Sequence, residues 1–335
     1  SYATLKLQAL SVGVMTPAAS LADMLRSCRI PTTAGALPMS RILIVGALAW
    51  DRPIWLEAPV ASGVRLHGRT LGGALEGRLG GGGANAGAAL VSAGHDVAVM
   101  SLVSEEGDGP RIMAAAAAAG IDLSAVARTR GHGSQTLLLI EPGGERIVLG
   151  LDPSWRRDAN SMDLPALALA AQRARAFKPH ALYVRSPLPG AADLMNAIAG
   201  PVVVHWPTSP DVLARAHILV GSADDLPPEA REDPYLAART SGAASLRACI
   251  VTQGAGPVII GLEAERLEVA PPPAIPKDTT GAGDIFAAGL VDALCEGAGL
   301  HDAVQHACLW GAAAVTIDGS APVERTGGMF PRFRR

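Results

Sequence analysis

The chain has 335 residues, with 28 Lys+Arg against 31 Asp+Glu and a formal net charge of -3. Its 49% hydrophobic and 18% charged residues supply a large core but no positive field able to hold a nucleic-acid backbone, and no uncharged apolar run reaches the roughly 18–20 residues that span a bilayer. Aromatic residues are only 4% while glycines number 38. The core must then be Ala, Val, Leu and Ile in close backbone contact, which suits helices packed on a parallel sheet.

Residues 1–38 read as an N-terminal extension outside the core fold. Their apolar stretch is broken by Gln8, Ser11 and Gly13, a poor imitation of a secretory leader. From Met39 the folded domain begins, with Ile42 to Val45 as a buried parallel strand ended by Gly46. Between Asp51 and Leu75 short apolar pieces (Ile54 to Leu56, Val64 to Leu66) alternate with polar residues and glycine, as exposed antiparallel strands do. A second such piece is the hairpin of Thr136 to Ile140 and Arg146 to Leu149 around Pro142-Gly143-Gly144. Two β insertions in an α/β pattern suggest a small sheet standing apart from the main body. The remainder alternates: helices at Asn85 to Ala93 and Pro110 to Ala119, with a strand at His95 to Leu102 between them. Short strands follow at Ala181 to Val184, Val202 to His205, Ile218 to Val220, Ala248 to Thr252 and Pro257 to Gly261. Long helices close the pattern at Asp284 to Cys295 and Asp302 to Thr316. This alternation predicts a parallel sheet covered on both faces.

Two glycine-rich segments carry the chemistry. Gly80-Gly81-Gly82-Gly83-Ala84-Asn85 contains a formal G-x-G-x-x-A, but the stretch before it reads as no buried strand, which a dinucleotide loop requires. The glycines would instead let a polar ligand approach the backbone, or simply turn the chain into a helix with Asn85 near its start. Asp278-Thr279-Thr280-Gly281-Ala282-Gly283-Asp284 places small residues at a helix N-terminus, where unpaired N–H groups and the helix dipole form an anion site. Asp284 in the same turn is either a cap or a base beside the anion, taking a hydroxyl proton while the amides hold a phosphoryl group in transfer.

Together these segments resemble the ribokinase (PfkB) family of ATP-dependent carbohydrate and nucleoside kinases, over about residues 41–328. The resemblance implies a ribokinase-like α/β fold: a doubly wound, mostly parallel sheet flanked by helices, with a small β-sheet lid. The α/β catalytic domain would comprise residues 39–51, 76–127 and 147–328, the lid 52–75 and 128–146, and the C-terminal tail 329–335. It also implies Asp284 as catalytic base and Gly281, Ala282 and Gly283 as its anion hole. Asp51, Gly80, Gly81 and Asn85 match the positions that bind substrate hydroxyls, and Thr252 and Gly254 match the T-x-G segment at the nucleotide. Asp278 and Thr280 match positions that bind a monovalent cation, K⁺ for instance, in some members. Mg²⁺ would accompany ATP.

Departures narrow the expectation. Where the family has N-x-x-E, this chain has Ser222-Ala223-Asp224-Asp225, so Asp225 stands in for the Glu that orders Mg²⁺. Gly82 and Ala49 replace the Lys and Asn of ribokinases proper, which argues against ribose. Arg185, after a predicted strand, is either a solvated strand-end arginine or a cation for a substrate carboxylate or phosphate. His67, His132 and His205 read as ordinary histidines. Four scattered cysteines (Cys28, Cys249, Cys295, Cys308) read as buried thiols of a cytoplasmic protein. The expected activity is transfer of the γ-phosphoryl group of ATP to a hydroxyl of a sugar, sugar derivative or nucleoside; the rival is a non-catalytic binding protein on the same fold. No nucleic-acid or membrane partner is expected, and exposed lid edges suggest a homodimer.

Overall fold

The computed structural model describes residues 39–70, 76–130, 135–151, 163–317, 319 and 330–334. The expected extension 1–38 therefore lies outside the described residues, as do parts of the lid and tail ranges. Among the described residues there are fourteen strands: β1 Arg41–Val45, β2 Ala49–Leu56, β3 Gly68–Thr70, β4 Arg78–Gly80, β5 Asp96–Ser104, β6 Val126–Thr129, β7 Gln135–Ile140, β8 Arg146–Leu151, β9 Ala181–Val184, β10 Val202–His205, β11 Ile218–Ser222, β12 Ala248–Gln253, β13 Gly256–Gly261 and β14 Arg266–Val269. The longer helices are α1 Gly82–Ser92, α2 Gly109–Ala118, α3 Leu164–Ala176, α4 Ala282–Cys295 and α5 Leu300–Ala314.

Among the described residues the main sheet has nine strands, in the order β14-β13-β12-β11-β10-β9-β1-β5-β6. It is parallel from β12 to β6 and antiparallel at the β13 and β14 edge. Burial on both faces explains the unbroken aliphatic runs. Leu43 and Val45 join Leu182, Val184, Val202 and Val204 in a cluster with Leu167, Ala170 and Ala174 of α3. Their neighbours Ile42 and Ile44 point the other way and are equally buried. Helix α4 packs against both α1 and α5. Alanine and glycine at their contacts allow close approach: a Cβ at Gly289 of α4 would lie 2.9 Å from Trp310 Cγ of α5.

Strands leave β1 toward β5 and β6 on one side and, later in the chain, toward β9 to β12 on the other. The reversal creates a crevice at the carboxyl ends of β1 and β9, the place where open α/β sheets bind ligands.

A second sheet has the order β3-β2-β7-β8, with β4 also paired to β2. It takes in residues 49–51, 78–80 and 147–151, which were expected in the α/β body. The expected strand at Val64 to Leu66 is not formed; the chain becomes a strand only at Gly68–Thr70, where it pairs with Ile54 to Leu56. Arg78–Gly80 is a strand where none was expected. It runs antiparallel to β2 in the small sheet, so it does not supply the parallel strand of a dinucleotide motif. The four-residue strands β6 and β14 were not among the expected strands either.

One buried ionic group ties the helical layer together. The Asp292 carboxylate of α4 accepts from His95 Nε2 at 2.7 Å, His306 Nε2 at 2.8 Å and the Phe333 amide at 2.7 Å. Burial raises its pKa, but hydrogen bonds from His306 and His95 outweigh this and hold it below the usual carboxylate range. The stabilisation is complete above the unfolded value near 4 and is lost as the pH falls below it. Asp292→Ala leaves two buried imidazoles and an amide without their acceptor. We expect a loss of about 3–5 kcal/mol in urea unfolding at neutral pH; a loss within about 1 kcal/mol would show that the cluster contributes little.

Candidate active site

The crevice at the β1–β9 switch point is built by close backbone approach. The Gly83 amide donates to Ala47 O at 2.9 Å, and a Cβ on Gly46 would come within 3.2 Å of both Gly83 and Arg185 Cβ. This brings the first glycine block, the end of β9 and the start of α4 together. Asp284, in the first turn of α4, is 7% exposed. Its Oδ2 accepts from Asn85 Nδ2 at 3.0 Å and its Oδ1 from Arg185 Nε at 2.6 Å. A Cβ on Gly82 would lie 2.5 Å from Arg185 Cγ and 2.9 Å from Asp284 Oδ1. Glycine at 82 therefore opens the path by which Arg185 reaches the carboxylate. The guanidinium side chain keeps 32% exposure, so the pair opens outward.

The turn into α4 is bare. Gly281 adopts φ +73, the Ala282 amide donates to Thr279 O at 3.3 Å, and the Gly281 and Gly283 amides donate to no group among the described residues. Open space faces Gly283, where an added Cβ would meet nothing within 4 Å. Unpaired amides at a helix start beside a carboxylate are a site for an anion and a proton donor side by side.

Asp51 lies in β2. It is buried, and its Oδ2 occupies the space above Gly80, 1.9 Å from where a Cβ would stand. Burial pushes its carboxyl up to about 6; Arg78 and the Gly81 amide pull it down, while Asp284 and Asp278 push it up. Gly81 at φ +82 starts α1. Asp278 is fully enclosed and pairs with Arg78 Nη2 at 2.6 Å; it also accepts from the amides of Thr280 at 2.8 Å and Gly319 at 3.1 Å. Burial raises its pKa, but the Thr280 hydroxyl, Arg78 and the Thr280 amide lower it below the usual range. That hydroxyl lies near the carboxylate without a well-formed hydrogen bond.

The expected nucleotide residues lie further along the strand ends. Ser222 of β11 and Thr252 of β12 are cross-strand partners, and Thr252 Oγ1 donates to Gly221 O at 3.3 Å. Gly254 forms the β12–β13 turn at φ +57 with open space before it. Asp225 follows β11 in an exposed turn and is close enough to Arg185 to act on its charge. Among the described residues no group of three or more His, Cys, Asp or Glu could hold a metal ion, and no helix is long and apolar enough to cross a membrane. Cys249, Cys295 and Cys308 carry free thiols.

Two residues at the site had no sequence signal. His205 ends β10 beside Arg185; burial and the guanidinium push its imidazole down to about 4, so it is neutral at ordinary pH. Tyr183 of β9 is fully buried, with its hydroxyl unpartnered among the described residues and its pKa raised by burial and by Asp284. Both lie inside aliphatic runs that read as ordinary strands.

The sequence signature of the pfkB family of carbohydrate kinases matches residues 64–326. Solved structures with the same fold include ribokinase from Thermotoga maritima (TM-score 0.64, 15% identity, covering 88% of this chain and 97% of that one). Arabidopsis thaliana ribokinase complexed with ribose and ATP is similar (TM-score 0.65, 18% identity, 87% and 97%). So is a carbohydrate kinase from Agrobacterium tumefaciens (TM-score 0.59, 23% identity, 88% and 99%). The chain belongs to the pfkB family of carbohydrate kinases, enzymes that move a phosphoryl group onto an alcohol.

The Asp51 carboxyl yields a pH-dependent expectation. Its raised pKa means that the native state holds the proton more tightly, so this group lowers folding stability as the pH rises from about 4 to about 6. Asp51→Asn should melt at or above the wild-type temperature at pH 8. If Asp51 accepts from the substrate, the acceptor KM should rise as the pH falls through about 6. Asp51→Asn should remove that pH limb and raise KM about tenfold or more. An unaltered KM profile would take Asp51 out of substrate binding.

Proposed function

We propose that this kinase transfers the γ-phosphoryl group of ATP to a hydroxyl of an anionic sugar derivative, with Asp284 as base and the Gly281 to Gly283 amides as anion hole. One observation carries the reading: a carboxylate and unpaired helix-start amides face the same open crevice. Asp51, Gly80, Gly81 and Asn85 hold and orient the acceptor. Ser222, Thr252 and Gly254 receive the nucleotide; β12 is three strand spacings from β9, about 15 Å, a span suited to a nucleoside triphosphate. Mg²⁺ bound with the phosphates would supply charge neutralisation. The exposed Asp225 fits as its one ordering carboxylate.

Arg185 supports the anionic acceptor. Its guanidinium pairs with Asp284 in the free protein, and a carboxylate or phosphate on the acceptor competes for it. The acceptor hydroxyl then takes the place on Asp284 that Arg185 yields. Asp284 Oδ1 removes the hydroxyl proton, the oxygen attacks the γ-phosphorus, ADP leaves, and the amides stabilise the charge on the phosphoryl oxygens.

ADP release across sugar acids, sugar phosphates, neutral pentoses, hexoses and nucleosides tests this. Turnover should favour the anionic acceptors, and Arg185→Ala should erase the preference. Asp284→Asn should lower kcat by about 10²–10⁴ with an unchanged circular dichroism spectrum. Near-normal turnover in that variant would remove Asp284 from the base role, and stabilisation by a sugar with no ATP consumption by the wild type would assign a binding role instead.

The lid also supports a homodimer. Its edge strand β8 leaves Ile147, Val148, Leu149 and Leu151 exposed, and a second copy would cover them and pair the edge. A dimer by sedimentation that Val148→Lys converts to monomer is the expected result; a wild-type monomer at micromolar concentration sets it aside.

A further inference from the structure

The same site contains a cation that the chain itself provides. Arg78 belongs to β4 of the small sheet, directly opposite Asp51 on β2. Its side chain is 13% exposed and its Nη2 lies 2.6 Å from Asp278 Oδ2, across 200 residues of sequence. Asp278 has two further N–H donors: Oδ1 accepts from the Thr280 amide and Oδ2 also accepts from the Gly319 amide. The guanidinium lies in a cradle shaped for it. Gly319 is at φ +93, and a Cβ there would be 2.7 Å from Arg78 Nη1 and 2.9 Å from Cζ.

This arrangement does not fit a resident K⁺ at Asp278 and Thr280, the positions expected from the family pattern. A monovalent cation needs several oxygen acceptors. Here both carboxylate oxygens already accept from N–H groups, the Val315 carbonyl already accepts from Lys277 N at 2.7 Å, and the guanidinium would repel a second cation. Among the described residues the Thr280 hydroxyl has no well-formed partner.

We infer that Arg78 is the fixed cation of this site, a positioning residue that orders the anion-hole turn through Asp278 and makes the enzyme independent of monovalent cations. The path is short. Arg78 holds Asp278, Asp278 holds the Thr280 amide, and Gly281 is the next residue. Because β4 leads into Gly80 and Gly81, the same guanidinium joins the acceptor-binding strand to the anion hole. The inference rests on the kinase reading for its catalytic meaning but not for its structural test.

The full chain, prepared without K⁺ or NH₄⁺, is compared in KCl and in tetramethylammonium chloride at matched ionic strength. Wild-type melting temperature, and turnover with any acceptor found, should be the same in both salts. Arg78→Ala should lose about 10²-fold in kcat through a displaced turn, melt lower, and regain part of both losses in KCl or millimolar guanidinium but not in tetramethylammonium. Arg78→Lys should stay independent of the salt. In Arg78→Ala the acid limb of the KM profile should also move to higher pH, because Asp51, which faces Arg78, Asp278 and Asp284, loses its favourable neighbour. A simple packing role would not move that limb. A K⁺-specific gain in wild-type turnover or melting temperature overturns the inference, and so does an Arg78→Ala variant with wild-type kcat and melting temperature. The wild-type comparison decides even if Arg78→Ala fails to fold. The absence of ATP turnover with every acceptor would count against the kinase reading alone, since the melting curves still report the cation.

Discussion

The whole site depends on one approach: the start of α4 must come close enough to the end of β9 for Asp284 and Arg185 to share a charge-assisted hydrogen bond of 2.6 Å. Side chains at positions 46 and 82 would crowd it, because a Cβ on Gly46 would press on Gly83 and Arg185, and one on Gly82 would lie 2.5 Å from Arg185 Cγ and 2.9 Å from Asp284 Oδ1. The glycines of the first block thus serve the second block. They clear a volume in which a carboxylate, a guanidinium and bare amides can stand together in a low-dielectric crevice, where such groups act most strongly on developing charge.

The same helix is held at its other end. Asp284 begins α4, and Asp292, two turns on, is enclosed by His95, His306 and the Phe333 amide. The two carboxylates have opposite surroundings. Asp292 has a full set of donors and is sealed, which makes it an anchor. Asp284 has two side-chain donors and an outlet through the half-exposed Arg185, which leaves it available to a ligand. Fixing a helix by a buried ionic contact behind the site lets its first turn stay unpaired without the helix drifting.

The small sheet is bound into the active site rather than hinged beside it. β2 carries Asp51, β4 carries Arg78 and runs into Gly80, and Arg146 of β8 donates to Thr279 O at 3.0 Å in the turn before α4. Thr279 Oγ1 in turn donates to Gly144 O at 2.9 Å. Any displacement of this sheet is therefore felt at the acceptor residues and at the anion hole together.

Much of this was legible in one dimension. Aliphatic runs located β1, β9, β10 and the cores of β11 to β13, since a strand buried on both faces leaves no other pattern. The D-T-T-G-A-G-D block and the first glycine block located the site, because bare amides and close backbone approach demand those residue types. The partners of those residues were not legible. Asp284 with Arg185, Asp278 with Arg78, and His205 and Tyr183 beside the crevice all depend on which strands become neighbours, and strand order is decided by how separate layers pack. The register of β3 and the existence of β4 likewise came from pairing with β2, not from any local preference of their own short polar sequences. Local sequence specifies backbone conformation and burial period over a few residues. Electrostatic partnership across 99 to 200 residues exists only once the tertiary structure has brought the charges into one low-dielectric space.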